Sequence, residues 1–319
     1  MNRVLVTGGA GYIGANVCQV LLNNGYEVCV FDDLSNGLES RLTGLDAELI
    51  RGDILDRSAL LAAMKNVDGV IHLAAKKSVE ESVEKPLKYY QNNFSGTLNV
   101  LAAMAANKVN KIVFSSTAVV YASTNKEALT EDDQKNPLSP YASSKLLSEE
   151  VIALSYQAEG ISSVCLRYFN VVGAGNISLG DNAKDNLVPK TFKALRSGTV
   201  PEIYGSDYQT RDGTCVRDYI HVTDLANAHH LSLNFMDAAP VATVFNVGSG
   251  TGYTVREMMN QMRESTGINF ESRFMPRRSG DPERLVADVS KIERELGWRP
   301  TSSLKDMIDS SWEAEKANA

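Results

Sequence analysis

Tyr141 and Lys145 stand four residues apart in Pro140-Tyr141-Ala142-Ser143-Ser144-Lys145. Pro140 suits the first position of a helix, and apolar spacing carries that helix to about residue 156 before Gly160 stops it. The two side chains therefore share one helix face. An ammonium beside a phenol favours the phenolate, lowering a pKa that starts at ~10. A tyrosine so placed accepts a proton near neutral pH. Y-x-x-x-K alone recurs by chance in helices, so the pair needs a site around it. One candidate is Ser115-Ser116-Thr117, a hydroxyl run closing the apolar stretch over 111–114. The carboxyl end of a central strand is where ligands bind in open α/β sheets, although strand-end hydroxyls also close local backbone hydrogen bonds.

The stretch that would supply a cofactor lies at the start of the chain. Val4-Leu5-Val6-Thr7 is a short apolar run, and Gly8-Gly9-Ala10-Gly11-Tyr12-Ile13-Gly14 turns it directly into an amphipathic segment. Gly8, Gly11 and Gly14 give a G-x-x-G-x-x-G spacing, not the commoner G-x-G-x-x-G. A buried strand feeding a glycine turn and a helix N-terminus presents free N–H groups and a positive dipole end to a phosphate. A second strand over 27–31 delivers Asp32, about 20 residues beyond the turn, where a dinucleotide-binding fold places an acceptor for the adenosine ribose hydroxyls. Strand, turn, helix, strand and acid in that order predict dinucleotide binding. A third strand over 47–51 leads to Asp53, which could bond the adenine amine or cap the helix entered at Asp56.

Those elements imply a doubly wound, mostly parallel Rossmann sheet. A fourth strand over 69–73 precedes Lys76-Lys77, which could meet a pyrophosphate or simply be solvated. A long helix is expected over 86–107 with Asn92-Asn93 near its middle, then strands over 111–114 and 163–167. Beyond Asn170 the strand–helix alternation loosens. The expected division is an NAD-type Rossmann domain over 1–170, with segments around 215–250 returning to it, and a smaller, interleaved C-terminal α/β substrate lobe over 171–319. Residues 122–139 are turn-rich, 210–217 read as loop before a strand over 219–222, and Thr254–Glu257 and Ser290–Glu293 both match capping boxes. Arg277-Arg278-Ser279-Gly280-Asp281 gathers two arginines and an acid in a turn. Arginine's fork suits a diphosphate, but such a cluster also suits a solvated loop.

Composition narrows the partners. The chain has 319 residues, 43% hydrophobic and 22% charged, with a net charge of −7, which argues against nucleic acid or an anionic membrane. Four scattered cysteines show no paired spacing, and four histidines show no metal-ligand pattern, so no metal is expected. No apolar run approaches membrane-spanning length, and a strand beginning at Arg3 leaves no room for a signal peptide. A cytoplasmic setting is expected.

Taken together these residues resemble the extended short-chain dehydrogenase/reductase superfamily and, within it, the UDP-glucose 4-epimerase family. The match runs end to end, through Thr7 to Gly14, Phe114-Ser115-Ser116-Thr117-Ala118-Val119-Val120-Tyr121, Pro140 to Lys145 and Arg167-Tyr168-Phe169-Asn170. Asp212-Gly213-Thr214 with Val216-Arg217-Asp218-Tyr219-Ile220-His221-Val222, and Pro276-Arg277-Arg278 with Gly280-Asp281, are the blocks most specific to nucleotide-sugar 4-epimerases. The resemblance implies that Tyr141 takes the proton of the sugar 4-hydroxyl while hydride passes from C4 to bound NAD. The 4-keto sugar then turns over and takes the hydride back on its other face. Lys145 would lower the tyrosine pKa and hold the nicotinamide ribose, and Thr117 would bond the reacting oxygen. Gly8, Gly11, Tyr12, Ile13, Gly14, Asp32, Asp53, Ile54, Lys77, Asn93 and Tyr168 would line the cofactor. Asn170, Asn186, Arg217, Arg278 and Asp281 would grip UDP, and Leu285 would gate the sugar pocket. Asp33, directly after Asp32, would repel a 2′-phosphate and favours NAD over NADP. A homodimer built on the helices over 86–107 and 140–157 is also implied.

Three departures accompany the match. Ala142 and Val171 replace residues common in the family, with little consequence for chemistry. Leu285 is intermediate between the large and small residues found at the gate, which leaves acceptance of UDP-N-acetylglucosamine open. UDP-glucuronate and UDP-pentose are further alternatives, because the chemistry is identical and only the C5 substituent differs. Sugar-nucleotide 4,6-dehydratases typically carry an acidic pair where Ala118-Val119 stand here. A net dehydrogenase would need exchangeable cofactor. A non-catalytic NAD-binding regulatory protein would have no need of Tyr141, Lys145 and Thr117 together.

Overall fold

The computed structural model describes residues 3–122, 126–278 and 280–317; Ser279 of the arginine turn and residues 123–125 of the turn-rich segment lie outside them. Two compact units divide the chain. The first comprises Met1–Ala122, Asp133–Tyr168 and Ala226–Phe245, and the second Ser123–Asp132, Phe169–Leu225 and Asn246–Ala319. The early strands are β1 (Arg3–Thr7), β2 (Glu27–Asp32), β3 (Ala47–Arg51), β4 (Gly69–His72), β5 (Lys111–Thr117) and β6 (Ser162–Tyr168). The later ones are β7 (Asn170–Val172), β8 (Glu202–Tyr204), β9 (Val216–His221), β10 (Ala242–Val247), β11 (Gly252–Thr254), β12 (Arg273–Met275) and β13 (Arg284–Leu285).

The first unit is built on a seven-stranded sheet in the order β10-β6-β5-β4-β1-β2-β3. The pairings from β6 through to β3 are parallel. This is a doubly wound Rossmann sheet. β6 is buried at every position and β2 at all but its first, as expected of strands covered on both faces. The strand order reverses between β1 and β4, so their carboxyl ends flank the switch point where such sheets bind ligands.

Six helices position the first unit's chemistry: α1 (Tyr12–Asn23), α2 (Arg57–Ala63), α3 (Val79–Glu84), α4 (Pro86–Tyr89), α5 (Gly96–Asn107) and α6 (Pro140–Glu159). α6 starts where the Ser139 hydroxyl accepts the Ala142 amide, with Pro140 at its first position, and ends at Gly160, whose φ is +71°. The expected helix over 86–107 is present but carries a π-helical segment, Tyr90–Ser95, between α4 and α5. One extra residue per turn there re-aims Asn93 inward, a device often found at functional sites. α2 is capped by Asp56, which accepts the Ser58 and Ala59 amides. Asp53 bonds the Leu55 amide instead, so the capping alternative for Asp53 does not hold.

The second unit carries α7 (Leu187–Arg196), the first residues of α8 (Val222–Ala238), α9 (Val255–Thr266), α10 (Ser290–Leu296) and α11 (Leu304–Ala317). Its sheet places β9 between β11 and β13, with β7 also paired to β9. β9 begins at Val216, ahead of the expected strand start, because β11 and β13 pair with its first residues. Phe192, Met258, Met259, Met262, Met307 and Ile308 close the core beneath it. The Thr254–Glu257 capping box forms. The Ser290–Glu293 box does not: Ser290 already lies inside α10, and Asp288 takes its amide at 2.8 Å. Among the described residues no helix is long and apolar enough to cross a membrane.

Candidate active site

The glycine turn is cut to fit a close-lying group. Gly8 has φ +74°, and a Cβ there would meet the Ala74 backbone nitrogen at 2.7 Å. A Cβ on Gly14 would lie 2.2 Å from the Gly8 carbonyl oxygen. Gly11 begins α1 with no side-chain cap, so the helix's first N–H groups are left for an anion. Tyr12 and Ile13 are the first residues of that helix. At the end of β2 the Asp32 carboxylate accepts the Ala10 amide at 3.0 Å and the Leu34 amide at 2.8 Å. Burial pushes the Asp32 carboxyl up, against those two hydrogen bonds. A turn with no room for a side chain at Gly8 or Gly14, an uncapped helix start and a fixed carboxylate fit a dinucleotide.

Other expected cofactor residues differ in how they are held. Asp53 and Lys77 are exposed, whereas the Ile54 side chain is packed under Gly96. Asn93 is buried, accepts the Lys76 amide at 2.8 Å, and donates to the Lys76 carbonyl at 3.0 Å and the Ser144 hydroxyl at 3.1 Å. Tyr168 bonds its hydroxyl to His229 Nε2 and stands edge-on to that ring.

At the carboxyl end of β5 the three hydroxyl residues separate into different tasks, following strand alternation. The Ser115 carbonyl accepts from Lys145 Nζ at 2.7 Å, and the ammonium also lies 4.7 Å from the Phe114 ring centre. Ser116 points to Glu149. Thr117 caps the following 3-10 turn, and its hydroxyl is the side-chain group that bears on the Tyr141 phenol. Burial raises the Tyr141 phenol, opposed by Thr117; the lowering expected from Lys145 is not seen. Burial pulls Lys145 down to about 7, with Glu149 first among the groups holding its proton on.

Sequence reasoning missed the polar groups behind this site. His72 Nδ1 lies 2.7 Å from the Thr7 hydroxyl, and Nε2 3.1 Å from the Thr97 hydroxyl. Thr97 gives its proton to the Asn93 carbonyl at 2.7 Å, so Nε2 must be the donor and Nδ1 the acceptor. Burial, then Lys145, lower His72 to about 3. Arg167 and Glu149 form a buried pair at 2.6 Å. Their signals were faint: a histidine at a strand end, and a glutamate one helical turn beyond Lys145.

In the second unit Asn170, Arg217 and Leu285 lie on strands of one sheet, Arg278 and Asp281 in the turn before β13, and Asn186 at the start of α7. Asn170 is in register with Tyr219, and Leu285 with Arg217. Arg217 faces Asp281 at 3.5 Å, and Arg278 lies 4.2 Å from the Tyr204 ring centre, a platform the sequence did not single out. Asn186 stands at the start of α7 with its amide donating to Asp181 at 2.6 Å. Among the described residues no group of His, Cys, Asp and Glu is clustered as metal ligands.

A dinucleotide-shaped turn on a Rossmann sheet, with a tyrosine, threonine and lysine at its central strand, defines a short-chain-type NAD enzyme. The NAD dependent epimerase/dehydratase family model matches residues 4–248, and the chain belongs to that family, with NAD as its cofactor. Within the family it is similar end to end to UDP-glucose 4-epimerases. The Halalkalibacterium halodurans UDP-glucose 4-epimerase is 41% identical over 316 residues, 97% of this chain and 94% of the relative. The Stenotrophomonas maltophila UDP-glucose-4-epimerase, solved with NAD and formylated UDP-arabinopyranose, superposes with a TM-score of 0.96 at 37% identity, covering 100% of this chain and 99% of the other. The Bifidobacterium longum UDP-glucose 4-epimerase, solved with NAD+ and UDP, gives 0.92 at 38% identity and 99% of each chain. The resemblance read from the motifs is borne out.

Proposed function

We infer that the chain interconverts UDP-galactose and UDP-glucose by epimerisation at C4. The observation that carries this is the convergence of Tyr141, Thr117 and Lys145 at the end of β5, in a unit whose glycine turn fits NAD. The first unit is the NAD-binding domain and the second the UDP-sugar-binding lobe. Tyr141 takes the proton of the sugar 4-hydroxyl and later returns it, while Thr117 holds the reacting oxygen. Lys145 supplies a fixed positive charge beside them. Bound NAD supplies a reversible hydride acceptor, so oxidation and reduction at C4 cancel within one turnover.

Asn170, Asn186, Arg217, Arg278 and Asp281 hold the UDP portion. Arg217 and Arg278 supply cations to the diphosphate, the Tyr204 face supports Arg278, and Leu285 borders the sugar. An apolar face on the helices supports a homodimer: Leu87 is 81% exposed, and Val83, Leu98, Leu147 and Leu154 are exposed with it. The described cysteines are free and buried, which suits a reducing cytoplasm. Proton NMR of UDP-galactose incubated with the purified, NAD-loaded protein tests the reading. UDP-glucose should appear with no cofactor added; no change would refute it.

A further inference from the structure

Lys145 is 3% exposed and has one hydrogen bond, to the Ser115 carbonyl, with an aromatic ring beneath it. A buried ammonium with so little solvation loses its proton readily. Several titratable groups bear on it: Glu149 on α6, Cys165 on β6 and His72 on β4. Tyr141 on α6 and Arg167 and Tyr168 on β6 are the other titratable or charged groups of those elements at this end of the sheet. Burial keeps the Cys165 and Tyr168 protons on and keeps His72 uncharged. Glu149 is the carboxylate that bears on Lys145.

Glu149 is itself immobilised. It accepts from Arg167 Nε at 3.0 Å and Nη2 at 2.6 Å, and from the Ser116 hydroxyl. Arg167 also donates from Nη1 to the Tyr121 hydroxyl at 2.9 Å and lies 5.0 Å from that ring centre. A fixed carboxylate, paired with Arg167, is therefore set one helical turn from Lys145, anchored from β5 and β6 without using the lysine's own hydrogen bond.

We propose that Glu149 is a positioning residue that keeps Lys145 charged during turnover, held in place by Arg167 and Ser116. This rests on the reading that turnover needs the Lys145 cation. Loss of that proton then sets the high-pH limb of kcat/KM, and Glu149 sets where the limb falls.

The test is the pH dependence of kcat/KM for UDP-galactose in NAD-loaded wild type and variants. Glu149→Gln should move the high-pH limb down by roughly one unit or more. That variant leaves Arg167 buried without its partner and could fail to fold. The double variant Glu149→Met/Arg167→Met leaves no unpaired charge, and its limb should also move down. Glu149→Asp should restore the limb to near its wild-type position. Ile152→Ala, a cavity elsewhere on α6, should lower the melting temperature and leave the limb in place. A folded, NAD-loaded double variant with the wild-type limb would overturn the proposal, as would a downward shift in Ile152→Ala equal to that of Glu149→Gln. Lys145→Met separates the two ideas. If it retains wild-type activity, the role of Lys145 itself is wrong; if it is inactive while the double variant's limb is unmoved, only the assignment to Glu149 falls.

Discussion

Lys145 Nζ donates to the Ser115 carbonyl at 2.7 Å, so α6 is tied to the central strand by the side chain that also carries the charge. Tyr141, four residues earlier, has no such tether and instead meets Thr117. The two residues should therefore fail differently. Tyr141→Phe should lower kcat by ~10²–10⁴ with NAD content unchanged. Lys145→Met should lower kcat comparably and also reduce the NAD that co-purifies. Absorbance of the released cofactor, alongside turnover, distinguishes them.

Gly14 and Gly8 lock the nucleotide turn backbone to backbone. Gly14→Ala would force a Cβ to 2.2 Å from the Gly8 carbonyl oxygen, with no flexible side chain to yield. A destabilisation of about 1–3 kcal/mol is expected for such overpacking, together with loss of bound NAD. Denaturant melts of the variant with and without added NAD check both effects.

His72 is buried and neutral in the folded chain, lowered to about 3 from 6.5. The unfolded chain takes up a proton that the folded one refuses. Stability is therefore full above the unfolded value and falls as pH drops from 6.5 toward 3, by up to ~1.4 kcal/mol per pH unit from this residue. His72→Gln should flatten that slope even if it lowers stability at neutral pH. Urea unfolding midpoints at pH 5 to 7 supply the comparison.

Leu87 and Leu154 lie exposed on the long helices of the first unit. If that face joins two copies, Leu87→Glu/Leu154→Glu should convert a dimer to a monomer in sedimentation velocity while NAD stays bound. A dimer unchanged by both substitutions would place the interface elsewhere.

Much of this was legible because it rests on local periodicity. The glycine turn, Asp32 after β2, and Pro140 to Gly160 around Tyr141 and Lys145 each announce an element and its end within a few residues. The π-helical segment at Tyr90–Ser95 left no such mark, and the Asn93 it carries bonds Lys76, 17 residues away in sequence. Ser290 matched a capping pattern that Asp288 pre-empts. Thr7–His72–Thr97 and Ser116–Glu149–Arg167 join residues from separate strands and helices, so sequence spacing cannot show them. By composition alone the arginines at 277 and 278 read as surface charge, because the Arg217–Asp281 pair and the Tyr204 ring beside Arg278 join residues far apart in sequence.

In this mechanism hydrogen leaves and returns to the same sugar carbon within one active site. UDP-galactose deuterated at C4, incubated with NAD-loaded protein in ordinary water and no added cofactor, tests it directly. The expected product is UDP-glucose retaining deuterium at C4. UDP-glucose carrying protium there would mean exchange with solvent, and would contradict the mechanism even though the activity was present.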